Sequence, residues 1–147
     1  MRGVSVAKTA NPTTELLRKV DLFDGLTTKE LDTVADECRH AKFRAGVEIV
    51  TQGERSARLY IIVEGTAQVD VHGLKVDEIG AGDYFGEIAV IDGEPRAATV
   101  TATSPVSALS LANFNVKALI RSMPDIGIKM LMRMCARVRD LESEPII

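Results

Sequence analysis

The stretch from Asp83 to Val100 holds residue types that could bind an anion. It contains Gly86, then a short apolar run long enough for one helical turn, and then Arg96. The first N–H groups of a helix have no partner inside the helix, and together with the helix dipole they attract anions. The guanidinium of Arg96 is permanently charged and can donate two parallel hydrogen bonds to phosphate oxygens. We therefore expect the Gly86 turn and Arg96 to enclose a phosphate from opposite sides.

Glu87 lies in the same stretch and needs a separate explanation, because a carboxylate repels a phosphate. It fits if it accepts hydrogen bonds from a sugar hydroxyl and also orients Arg96. Ala97 and Ala98 are small, so backbone N–H groups could approach a ligand there. Taken singly, Glu87 and Arg96 could form a surface ion pair, and the glycines could be turns. In combination they indicate a ligand with both a phosphate and a sugar.

Short strands are the elements that must position these residues. Apolar and polar side chains alternate from Ala67 to His72, which predicts a strand with one buried face. The pair His72-Gly73 then predicts a tight hairpin into residues 74–77. Further strands are expected at residues 47–50, 59–64, 99–103 and 106–111. Many short strands with glycine turns predict a mainly β protein, a sandwich or a barrel.

Helical spacing occurs on both sides of the strands. A first helix is expected from Pro12, and Thr27 with Glu30 forms a capping box that predicts a second helix at about residues 28–40. After Asn113 a short helix is expected, and Pro124 begins a last helix that runs to about Ser143. The sequence therefore predicts a β core flanked by helices at both ends.

The last predicted helix carries an apolar stripe. Its positions follow the 3-4-3 spacing of coiled-coil seams. Two heptads leave two alternatives, a seam for a homodimer or a stripe that packs on the chain's own barrel. The positions are Leu131, Met134, Val138 and Leu141.

The 147 residues fit a single domain, which we place at residues 13–143 between tails at 1–12 and 144–147. The chain is 46% hydrophobic with a net charge of −3, which excludes a disordered protein and argues against general nucleic-acid binding.

No apolar run approaches a membrane span, and no secretory leader is found. Cys38 and Cys135 form no metal or redox motif. We expect a cytoplasmic protein that binds neither nucleic acid nor membrane.

The motifs resemble those of a known family. Phe85–Ala89 followed by Pro95–Val100 is similar to the phosphate-binding cassette of cyclic nucleotide-binding domains, such as those of protein kinase A regulatory subunits and catabolite-activator-type transcription factors. Leu59–Gly65 and Ile79–Gly86 resemble two further family segments, so the resemblance extends from about Leu22 to Leu141. It implies an antiparallel eight-stranded β-roll, a double-stranded β-helix or jelly roll, with N-terminal helices and a C-terminal helix.

The resemblance also implies roles for individual residues. Arg96 would pair with the cyclic phosphate and Glu87 with the ribose 2′-hydroxyl. Family members that prefer cyclic GMP commonly have a threonine at the position of Ala97, so cyclic AMP is the expected ligand, with cyclic GMP as an alternative. The ligand-binding set implied is Gly86, Glu87, Ile88, Ala89, Arg96, Ala97 and Ala98, with Val63 and Val76 lining the base and sugar pocket.

The last helix has no aromatic residue that could stack on the base. Lys129, Arg133 and Arg137 share one helical face there, so they are either a substitute lid or an ordinary solvated basic stripe. We expect the latter.

The expected function is that of a stand-alone cyclic nucleotide sensor without enzymatic activity. The last helix would relay the ligand state to an unidentified effector protein, and a homodimer through this helix is a further alternative. Two other functions remain open: an interaction module that keeps the fold without the ligand, and a metal-dependent enzyme on a similar cupin-like fold.

Overall fold

The structure, a computed structural model, describes residues 11–143, with side chains up to residue 140. Helices α1 and α2, separated by a 3₁₀ turn, precede eight strands, and α3 lies between β6 and β7. Helices α4 and α5 follow the last strand. The bounds are α1 Pro12–Arg18, the 3₁₀ turn Asp21–Phe23, α2 Thr28–Glu37, β1 Arg39–Phe43, β2 Glu48–Val50, β3 Arg58–Glu64, β4 Thr66–Val71, β5 Leu74–Gly80, β6 Tyr84–Phe85, α3 Glu87–Asp92, β7 Thr99–Ala102, β8 Val106–Ala112, α4 Asn113–Ser122 and α5 Pro124–Ser143.

The eight strands form two four-stranded antiparallel sheets. One has the strand order β1-β8-β3-β6 and the other β2-β7-β4-β5. Strand β8 pairs with β1 and β3, and β7 pairs with β2 and β4, so strands distant in sequence join the sheets. This is the predicted antiparallel β-roll with flanking helices.

The side chains of β3 show why the fold has three layers. Leu59 and Ile61 alternate with Ile62 along this strand, and all three are buried. Leu59 and Ile61 pack against the helices, whereas Ile62 packs between the two sheets. One sheet is therefore buried on both faces, between the helical layer and the second sheet.

Helix α2 begins as the capping box predicts. Thr27 Oγ1 accepts a hydrogen bond from Glu30 N, and Thr27 N donates to Glu30 Oε1. The helix ends at Glu37 rather than near His40, because Arg39 already pairs with Ser110 in the β1–β8 ladder. Long-range strand pairing thus ends a pattern that looks helical in the sequence.

The β4–β5 hairpin turns at His72 and Gly73, as predicted. Both residues have positive φ, 51° and 79°. A two-residue turn of this hand matches the twist of the paired strands.

Helix α5 packs on the core through Ile126 and Met130. Leu131 and Val138 are 57% and 52% exposed, so packing of this stripe on the chain's own barrel is wrong for these two residues. Leu131 directly follows the buried Met130, so its side chain points about 100° around the helix from it. The side chain of Leu141 lies outside the described residues.

None of the helices within residues 11–143 is both long and apolar enough to cross a bilayer. The N-terminal tail up to residue 10 and residues 144–147 lie outside the described residues. The domain boundaries therefore stay predictions, although Asn11 caps α1 through a hydrogen bond from Thr13 N to its side chain.

Candidate functional site

A cavity of about 60 Å³ lies between α3 and the inner side chains of the roll. Its wall combines the start of α3, the loop that leads into β7 and apolar residues of β2, β4 and β7. One residue of α5 reaches the wall from the outside. The lining residues are Val50, Val69, Phe85, Gly86, Glu87, Ile88, Ala89, Arg96, Ala97, Ala98, Val100 and Arg137.

Arg96 is the buried cation of this cavity, with 4% of its surface exposed. Its Nε donates to Ser56 Oγ at 2.8 Å, its Nη1 to Gly86 O at 3.2 Å and its Nη2 to Arg58 O at 2.9 Å. All three acceptors are neutral, and no carboxylate pairs with the guanidinium in the described part of the chain. Two of its five N–H groups are left for another acceptor.

Burial lowers the pKa of the Arg96 guanidinium, and nearby Tyr60, Glu54 and Glu87 oppose that shift. Arginine nevertheless stays protonated in proteins. A buried charge without a counter-ion is costly, and an anion in the cavity would remove that cost.

The loop between β2 and β3 fixes the backbone at Arg96. Gly53 N donates to Arg96 O at 2.9 Å, and Arg96 N donates to Glu54 O at 2.9 Å. With Ser56 on the side chain, this loop holds both ends of Arg96. The guanidinium is therefore oriented before any ligand arrives.

Gly86 allows Arg96 to lie against the start of α3. Its φ is +94°, and a Cβ built there would lie 2.6 Å from Arg96 Nη1 and 2.7 Å from Arg58 O. The first N–H groups of a helix have no partner inside it, and in α3 no capping side chain at Gly86 bonds to them. Only glycine combines this backbone conformation with this close approach.

Glu87 is 6% exposed and lines the same cavity. Within residues 11–143 its carboxylate makes neither a hydrogen bond nor an ion pair with the protein. Ser56, Gly86 and Arg58, rather than Glu87, accept the hydrogen bonds of the Arg96 guanidinium. The expectation that Glu87 orients Arg96 by direct contact is therefore wrong. Its charge nevertheless acts on Arg96 over a longer distance. A buried acceptor without a donor points to hydroxyl or amine donors from a ligand.

The structure brings seven of the nine predicted site residues to the cavity. The exceptions are Val63 and Val76. Val63 lies on the same face of β3 as Ile61 and packs on the helical side, whereas Val76 is 58% exposed on β5. Neither lines the cavity, so their contact with a ligand stays a prediction. The seven that line it are Gly86, Glu87, Ile88, Ala89, Arg96, Ala97 and Ala98.

Sequence reasoning missed the apolar wall and the partners of Arg96. Val69 and Val100 face the cavity, and the two-residue alternation of β4 and β7 is a signal that could have identified them. Phe85 lines it too, and its ring stacks on Tyr60 with centroids 5.3 Å apart. Ser56 lies 40 residues before Arg96, and nothing in the local sequence marks it.

The basic residues of α5 make specific contacts rather than a uniform solvated stripe. Lys129 Nζ donates to the carbonyls of Asp21 and Asp24 at 3.2 and 2.8 Å. The guanidinium of Arg133 lies 4.1 Å from the centre of the Tyr84 ring. Of the three, only Arg137 lines the cavity, and its Nη2 donates to Asp77 on β5 at 3.5 Å.

Tyr84, whose ring contacts the guanidinium of Arg133, is buried. Burial raises the pKa of its hydroxyl, and Arg133 opposes the shift. The phenol is therefore neutral at physiological pH.

Among the residues that the structure describes, no three His, Cys, Asp or Glu side chains come together as metal ligands would. Cys38 is half-buried, and burial raises the pKa of its thiol to about 12. This leaves it almost wholly unreactive near neutral pH, because the thiolate is the nucleophile.

Comparison with known proteins identifies the family. The family model described as "Cyclic nucleotide-binding domain" matches residues 40–123, more than half of the chain. The chain belongs to the cyclic nucleotide-binding domain family. The match contains every residue of the cavity except Arg137.

Curated relatives of this cyclic nucleotide-binding domain include two cyclic nucleotide-gated potassium channels. The chain is 38% identical over 113 residues to a cyclic nucleotide-gated potassium channel of Rhizobium etli, covering 77% of this chain and 32% of the channel. It thus spans about a third of the curated relatives it matches.

Several solved structures share its fold. The regulatory domain of Toxoplasma gondii protein kinase A, crystallised with cAMP, has a TM-score of 0.73 and 34% identity over 85% of this chain and 49% of that one. The catabolite activator protein of Thermus thermophilus has a TM-score of 0.76 and 26% identity over 84% and 60%.

Proposed function

We propose that this cyclic nucleotide-binding domain is a sensor that binds cyclic AMP in the cavity beside α3. It would work as a regulatory domain in the cytoplasm rather than as an enzyme. The observation that carries the proposal is the buried guanidinium of Arg96, which is held by three neutral oxygens and faces a cavity.

The cyclic phosphate is the group that best matches Arg96. A phosphodiester carries one negative charge and offers two free oxygens, which correspond to the two unused N–H groups of the guanidinium. The start of α3, with its free N–H groups, supports the same charge from the other side. Charge-assisted hydrogen bonds of this kind contribute about 1.5–3 kcal/mol each.

The ribose is the group that best matches Glu87. Its carboxylate is buried and has no donor within the described residues, and the 2′-hydroxyl would supply one. A free inorganic phosphate would leave this acceptor unsatisfied. Glu87 thus selects for a ligand that has a sugar hydroxyl beside its phosphate.

Ala97 supports cyclic AMP over cyclic GMP. It is exposed and lines the cavity, and its methyl group cannot donate a hydrogen bond to a guanine. Val63 and Val76 stay proposed ligand contacts, although Val63 packs on the helical side of β3 and Val76 is exposed on β5. For Val76 this requires the β4–β5 hairpin to close on the bound base.

Helix α5 would transmit the ligand state. Arg137 reaches the cavity from this helix, while Arg133 and Lys129 attach the same face to Tyr84 and to the carbonyls of Asp21 and Asp24. If α5 has two positions, a ligand shifts the equilibrium between them only as far as its affinities for the two positions differ. The recipient is a partner chain, either an effector protein or a second copy bound through α5.

Thermal unfolding of the protein with cyclic AMP, cyclic GMP and 5′-AMP tests the proposal. A ligand at a hundredfold excess over its Kd stabilises the folded state by about 2.7 kcal/mol, so we expect a higher Tm with cyclic AMP and a smaller shift with cyclic GMP. The open-chain 5′-AMP carries an additional charge and serves as the control for nonspecific phosphate binding. No shift with either cyclic nucleotide would favour the interaction module that has kept the fold without the ligand.

A further inference from the structure

The side chain of Gln52 ties the turn of the β4–β5 hairpin to the loop between β2 and β3. His72 N donates to Gln52 Oε1 at 2.8 Å, and Gln52 Nε2 lies 3.3 Å from His72 Nδ1. Gln52 N in turn donates to Thr99 Oγ1 at 2.9 Å, at the start of β7. Strand β2 pairs with neither β4 nor β5, so these contacts join segments that the sheet leaves separate.

The amide group of Gln52 has one orientation at this place. Its Oε1 already accepts from His72 N, so its NH2 group faces the imidazole. The facing Nδ1 accepts from this group only when the hydrogen of the neutral ring is on Nε2. The contacts between Gln52 and His72, which we call the clasp, are therefore made by a neutral imidazole.

Gln52 directly precedes the residues that hold Arg96. Gly53 N donates to Arg96 O and Arg96 N donates to Glu54 O, both at 2.9 Å. Ser56 Oγ accepts from Arg96 Nε at 2.8 Å. A shift of this loop would therefore move the guanidinium, because the loop contacts both the backbone and the side chain of Arg96.

The hairpin that the clasp holds also borders the cavity. Val69 of β4 lines the cavity. Arg137, which lines it from α5, donates to Asp77 of β5 at 3.5 Å. The hairpin wall and Arg96 thus meet the same space, and the clasp connects the two.

We propose that Gln52 is a positioning residue for ligand binding. It holds the β4–β5 hairpin against the loop of Arg96, so that the guanidinium and the hairpin wall keep one arrangement at the cavity. Gln52 does not line the cavity and acts through Arg96. This inference rests on the proposed function, because it concerns the affinity of the same site.

Calorimetric titration of the full chain with cyclic AMP measures the effect. We expect Gln52→Ala to weaken binding about fivefold, because only a fraction of the free protein then has the arrangement that binds. The matched control is Gln68→Ala, since Gln68 Nε2 donates to Asp70 within β4, and its affinity should stay within about twofold. An unchanged Kd in Gln52→Ala would overturn this inference and leave the proposed function standing. Absence of binding by the unsubstituted protein would overturn both.

The Arg96 guanidinium reports on the clasp without any ligand. In the NMR spectrum of the ligand-free protein, the Nε–H signal of Arg96 measures how well Ser56 protects this group from exchange with water. We expect Gln52→Ala to raise the exchange rate at least about threefold and Gln68→Ala to leave it unchanged. An unchanged rate in Gln52→Ala would contradict the route from Gln52 through the loop to Arg96.

The pH profile of the dissociation constant separates positioning from a general loss of stability. Histidine is the side chain that ordinarily changes charge between pH 5 and 8, and a protonated Nδ1 donates and cannot accept from Gln52 Nε2. We therefore expect the affinity of the unsubstituted protein to fall about threefold from about pH 7.5 to about pH 5.5. Gln52→Glu should bind at least as tightly at the lower pH, because a carboxylate accepts from the charged ring.

Two variants assign this pH response to one ring. The chain has two histidines, so His40→Gln should keep the response, whereas His72→Asn should remove it. Asparagine tolerates the positive φ of 51° at this turn position and does not titrate. A response of the same size in His72→Asn would contradict the role of the clasp.

Other charged residues lie on the elements that meet at the clasp, and they stay the same in all of these variants. Where the structure gives their side chains a hydrogen bond or an ion pair, the partner is a residue other than His72. Differences between the variants therefore isolate the imidazole. Apart from Asp77, these charged residues are Glu48, Glu54, Arg55, Asp70, Lys75 and Glu78.

Discussion

The two concave surfaces of this protein have opposite chemistry. The cavity beside α3 buries charged groups, Arg96 and Glu87, whereas the groove beside α4 exposes apolar ones, such as Ile128 and Leu131. Neither arrangement is what folding alone favours, because buried charges and exposed apolar patches both raise the free energy of the folded state. The first surface therefore matches the anion and the hydroxyl of the proposed ligand, whereas the second presents apolar side chains to solvent.

Helix α5 lies between these surfaces. Its face towards the roll carries Arg137, which lines the cavity, and its opposite face carries Leu131 in the groove. Movement of one helix would thus change both surfaces at once. The cavity is the more specific of the two, since three directional hydrogen bonds hold the guanidinium of Arg96 in place.

The largest expected effect comes from filling the space that Gly86 leaves for Arg96. We expect Gly86→Ala to weaken cyclic AMP binding by about a hundredfold, because the new Cβ would meet both Arg96 Nη1 and Arg58 O and displace the guanidinium. Isothermal titration calorimetry measures the change.

Gly93→Ala is the matched control for this prediction. Gly93 ends α3 with a φ of +72°, but a Cβ there meets no atom within 4 Å. This variant should lose about 1 kcal/mol of stability through backbone strain and keep its affinity within about threefold. Equal losses of affinity in the two variants would mean that strain in α3, rather than the position of Arg96, determines binding.

The next effect concerns Glu87 and the sugar. We expect the unsubstituted protein to prefer cyclic AMP over 2′-deoxy cyclic AMP by about tenfold, because a buried acceptor loses its donor with the second ligand. Glu87→Gln should remove most of this preference. If the ratio of the two dissociation constants stays the same in the variant, the role assigned to Glu87 is wrong.

The smallest effect is expected at the edge of the cavity. Arg137 is 40% exposed and bonded to Asp77, so solvent screens its charge. We expect Arg137→Ala to weaken cyclic AMP binding by about threefold, mainly at low ionic strength. Arg139→Ala, at an exposed position of the same helix, is the control with no change. A loss in Arg137→Ala as large as that in Gly86→Ala would mean that α5 is a principal part of the site.

The sequence predicts the local parts of the site well and the distant parts poorly. The six-residue helix α3, Gly86 at its start and Arg96 shortly after it follow from residue spacing within one short stretch. Ser56 and the carbonyl of Arg58, which orient Arg96, come from another strand connection about 40 residues earlier. Long-range contacts bring them together: the pairing of β3 with β6, and the backbone hydrogen bonds of Arg96 to Gly53 and Glu54.

Two departures have a physical reason that is visible in the sequence. Val63 shares its parity with Leu59 and Ile61, so it faces the helical layer rather than the cavity, and its contact with a ligand stays a prediction. The 3-4-3 spacing in α5 selects Leu131, Met134, Val138 and Leu141, whereas the residues of this helix in the buried core are Ile126 and Met130. Both apolar sets have helical spacing, and the packing of α5 against α4 and the 3₁₀ turn determines which one is covered.

The central claim is that Arg96 binds the phosphate of a cyclic nucleotide, and a calorimetric titration with cyclic AMP tests it most directly. We expect Arg96→Ala to weaken binding by at least tenfold, because the ligand loses at least one charge-assisted hydrogen bond. Arg55→Ala, at an exposed arginine in the loop that holds Arg96, should bind like the unsubstituted protein. Unchanged affinity in Arg96→Ala would contradict the account.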